Sequence, residues 1–324
     1  MAASHHLTAA KHLDKGNGLI LYLNNYSFYA QKVIMALLEK RLPFKSHVIN
    51  IAKGEQYQPW FLEINPRGEV PVLKDGIKVI PDSARIIDYL EDNFSNNGDT
   101  RLIPLDLGAE TRQKVIHFRN IIDPVPANVV TIGSFYHPKF VGKPKAPFIG
   151  PVRKVLKAAE NKNASNLRAL AEKYPKIRQI LLEKADLQEK KHQIITDEAA
   201  YVKLLDQVDS ALLEVEKELS SRNENDPRWL CSEGFTVADI SLTILLDRLY
   251  LLGLEDRFWS GGKKPGIARY YARVCQRDSY KQTVPSGMTH LKTFLEMQSG
   301  LVIGTVIFTA IAVIIGGFLF LKKK

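Results

Sequence analysis

Twenty-two uncharged residues run from Gly300 to Leu321 and are followed by Lys322, Lys323 and Lys324. No other stretch constrains the chain as strongly. As a helix rising 1.5 Å per residue it would span about 33 Å, enough for a hydrocarbon core of about 30 Å. Fourteen of its positions are Leu, Ile, Val or Phe. They offer about −4 to −8 kcal/mol of insertion energy, reduced by Thr305, Thr309 and the glycines. A buried core helix of a water-soluble domain rarely lacks a polar face over such a length, so a transmembrane helix over 300–321 is expected. A span this close to the last residue is expected to be a tail anchor, with everything before residue 299 in the cytosol. Three lysines beyond a moderately hydrophobic span favour the outer mitochondrial membrane, with the peroxisomal membrane as the alternative.

The remaining chain is long enough for two domains with real cores. Cys231 and Cys275 are the two cysteines, without a CxxC pair or a secretory leader, which points to a reducing compartment. The eight histidines show no metal-ligand spacing, and no metal is expected. The chain carries 45 basic and 35 acidic residues, and the excess has an address: between Lys139 and Lys191 there are 14 Lys/Arg against five Asp/Glu. No aromatic interleaving or reader motif accompanies these lysines, which argues against nucleic acid. Acidic proteins or anionic lipids are the expected partners of this insert, at about 1 kcal/mol per basic residue near an anionic surface. A solvated charged helix hairpin is the plainer alternative.

Local patterns order the first domain. Leu19–Leu23 is an apolar run suited to a buried strand, and Asn24–Ser27 a turn. Val33, Ile34, Leu37 and Leu38 follow at helical spacing, Phe44 to Ile49 alternates, and Tyr57–Leu62 reads as a short helical turn. Val72–Leu73, a hairpin turn at Lys74-Asp75-Gly76 and Ile77–Ile80 come next. Asp82 to Phe94 closes the unit as a helix with Ala84, Ile87, Tyr89 and Leu90 inward. The order is βαβαββα. Pro71 must sit at a strand start, off the ladder, and a cis Val70–Pro71 bond is expected there. Further on, Phe235-Thr236-Val237-Ala238-Asp239-Ile240 is a capping box with a hydrophobic staple.

The order, together with Gly68-Glu69-Val70-Pro71-Val72-Leu73, Asp82-Ser83-x-x-Ile86-Ile87-x-Tyr89-Leu90 and the capping box, resembles the glutathione transferases. The fuller pattern adds a long insert in the helical domain, Trp229-Leu230-Cys231 before the box, and the terminal anchor. In this it is similar to the ganglioside-induced differentiation-associated proteins, tail-anchored transferase relatives of the mitochondrial outer membrane. The resemblance implies an α/β thioredoxin-like N-terminal domain, an all-α transferase C-terminal domain and a C-terminal transmembrane helix. The corresponding divisions are a disordered leader over 1–17, the thioredoxin-like domain over 18–98, the helical domain over 99–287 with its basic insert at about 139–192, a juxtamembrane segment over 288–299 and the anchor over 300–321. An amphipathic helix along the membrane is expected over 281–299.

The resemblance also implies a glutathione site. The N-terminus of the helix at Asp82 and Ser83 would hold the γ-glutamyl carboxylate, and the backbone of Val70, before Pro71, would pair with the cysteinyl portion. A free thiol near pKa 8.5 is only about 3% ionised at pH 7, so a hydroxyl donor beside the sulfur is needed to favour thiolate. Ser27 matches the catalytic serine of the family, with Tyr26 and Tyr29 as runners-up at the same turn. Ser27 is equally placed to cap the helix. The run Phe28-Tyr29-Ala30-Gln31-Lys32 departs from the Cys or Pro, then Arg, of serine-type relatives. By resemblance the chain shapes the mitochondrial network, favouring fission and balancing redox state. An active membrane-tethered transferase that conjugates electrophiles, and an inert adaptor working through the insert, are the alternatives. The insert lies where transferases dimerise, so any homodimer would need a non-standard interface. Cys231 carries no activating neighbour in sequence.

Overall fold

The computed structural model describes residues 18–95, 100–223 and 226–290. Two compact units divide the chain, Met1–Val284 and Pro285–Lys324. The leader over 1–17, most of the juxtamembrane segment and the anchor over 300–321 lie outside the described residues. Among the described residues no helix is long and apolar enough to cross a membrane.

The first unit opens with β1 (Leu19–Leu23), α1 (Phe28–Glu39), β2 (Lys45–Val48), two short 3-10 turns, and α2 (Pro59–Ile64). β3 (Val72–Asp75), β4 (Lys78–Pro81) and α3 (Ser83–Asn93) complete the expected order. The sheet order is β2-β1-β3-β4, with β1 parallel to β2 and antiparallel to β3. Buried Leu19, Leu21 and Leu23 face Val33, Met35, Ala36 and Leu37 of α1, Ile86 and Leu90 of α3, and the helical domain. Tyr22, Ile49, Phe61 and Val72 form a smaller cluster on the other face.

Two local expectations shift. The hairpin turn falls at Gly76–Ile77 rather than at Lys74–Gly76, and Ile77, expected in a strand, is 98% exposed. Gly76 has φ 57°, a left-handed value that glycine adopts freely, so the turn centres on it. In α3 the buried face is Ser83, Ile86, Ile87, Leu90 and Glu91, with Ala84 and Tyr89 only partly covered. Glu91 is inward because Lys40 donates to it at 2.6 Å and the Leu102 and Ile103 amides cap it. The Val70–Pro71 bond is cis.

The helical part comprises α4 (Gly108–Ile122), α5 (Ala127–Tyr136), α6 (Gly150–Lys173), α7 (Arg178–Thr196), α8 (Glu198–Ser220) and α9 (Val237–Leu252), then α10 (Glu255–Phe258), α11 (Pro265–Val274) and α12 (Asp278–Thr283). The basic insert is therefore mainly the antiparallel pair α6 and α7, after an irregular stretch through Phe148. Helix α9 is buried on nearly every side. Its start is the expected capping box: the fully buried Asp239 carboxylate accepts from the Thr236 amide (2.9 Å), the Thr236 hydroxyl (2.7 Å), the Leu230 amide (2.7 Å) and the Tyr270 hydroxyl (2.9 Å). Four donors meet the demand that a buried carboxylate be hydrogen-bonded. Phe235 and Ile240 are both buried, as a staple requires.

The expected amphipathic helix over 281–299 is interrupted. Helix α12 ends at Thr283 and Val284 is extended, because the residue before Pro285 is excluded from the helical region. In the second unit a helical turn begins at Gly287, and the Thr289 amide donates to Ser286 Oγ at 3.3 Å.

Candidate functional site

The turn leading into α1 is tied by side-chain hydrogen bonds. Asn24 donates its side-chain amide to the Ile49 carbonyl (3.0 Å) and accepts from the Tyr26 amide (3.0 Å), and Gln31 donates to the Asn25 carbonyl (3.1 Å). Ser27 is the N-cap of α1: its Oγ accepts from the Ala30 amide at 3.3 Å. This bond uses an oxygen lone pair and leaves the hydroxyl proton available to donate. Capping and thiolate stabilisation are therefore compatible. Tyr26 is half-buried, its carbonyl held by Arg248 at 2.8 Å. Burial raises the pKa of the Tyr29 hydroxyl, against the pull of Arg248. Tyr29 is the poorer thiolate partner.

The loop before β3 presents Val70. Asn65 donates to the Glu69 carbonyl (2.9 Å) and accepts from the Arg67 amide (3.2 Å). Gly68 has φ 57°, and a Cβ there would lie 2.8 Å from the Gln56 carbonyl oxygen, so only glycine fits. Pro71 is buried and Val70 half-exposed. Among the described residues, neither the amide nor the carbonyl of Val70 makes a backbone hydrogen bond. Strand register then brings the second element alongside. Val72 pairs with Pro81, so Val70 and Ser83 each lie two residues beyond the last pair. Asp82, at φ 74°, caps α3 by accepting from the Ala84 (2.9 Å) and Arg85 (3.1 Å) amides. Ser83 is buried, and no hydrogen bond of its hydroxyl or its amide forms among the described residues. The open backbone of Val70 and the open donors of Ser83 thus both flank the same end of the β3–β4 pair. Two unsatisfied donors at a helix N-terminus suit a carboxylate.

A charge cluster that sequence reasoning did not find supports this corner. Lys32, 4% exposed, donates to Asp123 at 2.5 Å; Ser241 donates to the same oxygen at 2.6 Å, and Arg119 reaches the other at 3.3 Å. Arg119 also donates to Asp88 (2.6 Å) and to the Ala84 carbonyl in the first turn of α3 (3.4 Å). Burial raises the Asp123 pKa, but the Lys32 cation and the bonds from Lys32 and Ser241 outweigh it, and the net shift is downward. Burial lowers the pKa of Lys32. The signal was a lysine on the buried face of α1, four residues after Phe28.

The insert docks beside the same loop. Lys184 of α7 donates to Glu69 Oε1 at 2.6 Å and to the Arg67 carbonyl at 2.9 Å. Beneath it, Leu167 and Ala171 of α6 pack with Leu181 and Ala185 of α7, and Tyr57 of the thioredoxin-like domain joins them. Burial pushes the Tyr57 hydroxyl up to about 12. Cys231 is buried and its thiol pKa is raised, chiefly by desolvation, which makes it a poor redox sensor. Among the described residues no group of three or more His, Cys, Asp or Glu gathers to hold a metal.

The four-stranded sheet, the helical domain and the paired openings at Val70 and Ser83 define a transferase-type architecture. Residues 21–98 match the glutathione S-transferase N-terminal domain, and residues 174–278 the C-terminal domain. The chain is 29% identical to ganglioside-induced differentiation-associated protein 1-like 1 of Homo sapiens over 274 residues, covering 82% of this chain and 73% of the relative. It is 27% identical to glutathione S-transferase TCHQD of Arabidopsis thaliana, covering 82% and 88%. Among solved structures, the beta-etherase LigF of Sphingobium sp. strain SYK-6 superimposes with a TM-score of 0.59 at 22% identity, over 82% of this chain and 98% of that one. A glutathione S-transferase of Methylobacillus flagellatus KT, solved with glutathione bound, gives 0.51 at 22% identity, over 83% and 100%. The chain belongs to the glutathione S-transferase superfamily and is similar, at 28–29% identity, to ganglioside-induced differentiation-associated protein 1-like 1.

The Lys184 contact carries a prediction. Lys184→Met should free α7 from the Glu69 loop, and amide exchange in residues 54–58 and 66–70 should speed up several-fold with the overall fold intact. Unchanged exchange in those segments would show that the apolar contacts alone dock the insert.

Proposed function

We propose that this chain is a membrane-anchored glutathione-binding protein of transferase fold, acting at the mitochondrial outer membrane on network morphology and redox balance. The observation that carries the glutathione reading is the pairing of an unengaged Val70 backbone with an unengaged Ser83 amide and hydroxyl. Val70 would align the peptide of the tripeptide as a short antiparallel strand, and Ser83 would take the γ-glutamyl carboxylate. Ser27 would donate its remaining proton toward the thiolate sulfur. The glutathione bound to the Methylobacillus transferase supports the same ligand here. The apolar run from Gly300 to Leu321 with its terminal lysines supports the reading of anchor and organelle. That Ser27 can cap and donate at once favours a second reading, in which the chain also conjugates electrophiles.

Calorimetric titration of the full chain in detergent should give saturable glutathione binding. A hydrogen bond to a charged group contributes about 1.5–3 kcal/mol, so Ser83→Ala should weaken binding by about tenfold or more. Ser27→Ala should bind nearly as well as the parent and lose any conjugation of a model electrophile. Absence of saturable binding, or binding indifferent to Ser83, would refute the pocket. For the anchor, deleting 300–324 should release the protein to the cytosol and abolish its effect on mitochondrial shape. A truncated protein that still fragments mitochondria would overturn the anchored reading.

A further inference from the structure

The two helices of the basic insert present unlike outer faces. Helix α6 turns Lys154, Ala158, Lys162, Ser165, Ala169 and Lys173 outward, and all six are exposed. They recur at intervals of three and four residues, so they share one stripe about 100° wide. The opposite side of α6 is occupied by packing, with Leu167 and Ala171 against Leu181 and Ala185 of α7. Between its three lysines the stripe holds only two alanines and a serine, whose hydroxyl donates back to the Lys162 carbonyl at 3.0 Å. Among the described residues no carboxylate forms an ion pair with any of the three. Lys173 lies 5.4 Å from the centre of the Tyr174 ring, a contact that leaves its charge unneutralised. Both glutamates of α6 are engaged elsewhere: Glu160 lies 3.7 Å from His192, and Glu172 accepts from Arg178 at 3.1 Å. Helix α7 differs, because its exposed residues include Glu183, Asp186 and Glu189 beside Lys190. The uncompensated charge of the insert is therefore concentrated on one face of one helix.

The spacing says what such a stripe can meet. Along the helix axis the three lysines stand about 12 and 16 Å apart. Ammonium groups spread over that length cannot all converge on one phosphate or one carboxylate. No arginine on the stripe offers a planar fork to a discrete carboxylate. A planar array of negative charges meets all three lysines at once. The small residues between them let the helix lie flat on such a plane, and the long lysine stems carry each ammonium to it.

We propose that the outer stripe of α6 lies on an anionic lipid surface. The proposal deepens the membrane-anchored reading and rests on it, because the anchor keeps the chain at a bilayer and raises the effective concentration of lipid. Each lysine near an anionic surface strengthens association about fivefold, and three together about a hundredfold. The contact is electrostatic, so added salt weakens it by shortening the screening length.

The test is a lysine footprint of the full chain on vesicles. The chain is reconstituted into phosphatidylcholine alone, and into two parts phosphatidylcholine with one part phosphatidylserine. A membrane-impermeant amine-acetylating reagent is applied, and the labelling rate of each lysine is read by peptide mass spectrometry. On the anionic vesicles Lys154, Lys162 and Lys173 should label about fivefold or more slowly than on the neutral ones. Lys190 should label alike on both, and the difference should vanish in about 1 M salt. Lys162→Glu should return Lys154 and Lys173 toward their neutral-vesicle rates, whereas Lys190→Glu should not. Labelling indifferent to lipid charge, or slowed equally at Lys190, overturns the proposal. Slowing of the three by poly-L-glutamate but not by anionic vesicles also overturns it, in favour of an acidic protein chain. Flotation separates the two readings. A chain that floats with neutral vesicles but shows no lipid-dependent footprint keeps the anchor and loses the stripe. A chain that floats only with anionic vesicles, with the three lysines slowed, keeps the stripe and loses the anchor.

Discussion

The buried ion pair between Lys32 and Asp123 is the contact on which the arrangement of the two folded parts depends. Lys32 comes from the first helix of the thioredoxin-like domain and Asp123 from the end of α4, and Ser241 of α9 and Arg119 of α4 converge on the same carboxylate. Taking both charges out of water is costly, and only close geometry with further hydrogen bonds offsets it. That requirement fixes α1 against α4 and α9 at one register. The bidentate Arg277–Glu39 pair (2.5 and 2.6 Å) and the Lys40–Glu91 pair (2.6 Å) tie the far end of α1 in the same way. With α1 held at both ends, Ser27 has a defined place. Arg119 extends the constraint to the first turn of α3, where Ser83 stands.

The insert draws on its charge in two ways. Some of its cations are consumed within the fold: Lys139 with Glu198, Lys145 with Glu255, Arg168 with Asp186 and Glu189, and Lys184 with Glu69. Lys154, Lys162, Lys173, Lys176 and Lys190 remain exposed. The surface left for an acidic partner or anionic lipid is therefore smaller than the charge count alone suggests. What the insert gains in exchange is position, because Lys184 and the Tyr57 contact bring it onto the loops that flank Val70. Exposed ion pairs contribute little to stability, but Lys184 is largely covered, and burial lowers its pKa against the pull of Glu69.

Much of the fold was legible because its signals are local. Alternation and helical spacing located the strands and α1, Pro71 marked the strand start, and the Thr236–Asp239 box marked the head of α9. Ser27, Val70, Pro71, Asp82 and Ser83 were named as site residues from the family resemblance, and the hairpin register places Val70 and Ser83 each two residues beyond the last strand pair. The turn at Gly76 was misplaced by about two residues because Asp75 and Lys78 suit strand and turn alike. The helix expected over 281–299 was overextended across Pro285, whose effect on Val284 was there to be read. Lys32, Arg248 and Lys184 were not legible as site residues. A lysine on an apolar face signals a buried partner without saying which, and their partners lie 91, 222 and 115 residues away in the chain.

The most direct test of the glutathione site is a crystal structure of the full chain grown with glutathione. The γ-glutamyl carboxylate should lie on the amide and hydroxyl of Ser83, with the cysteinyl backbone paired with Val70 and the sulfur facing the Ser27 hydroxyl. Glutathione bound away from the Val70–Ser83 edge, or none bound with that edge closed by the insert, would contradict it.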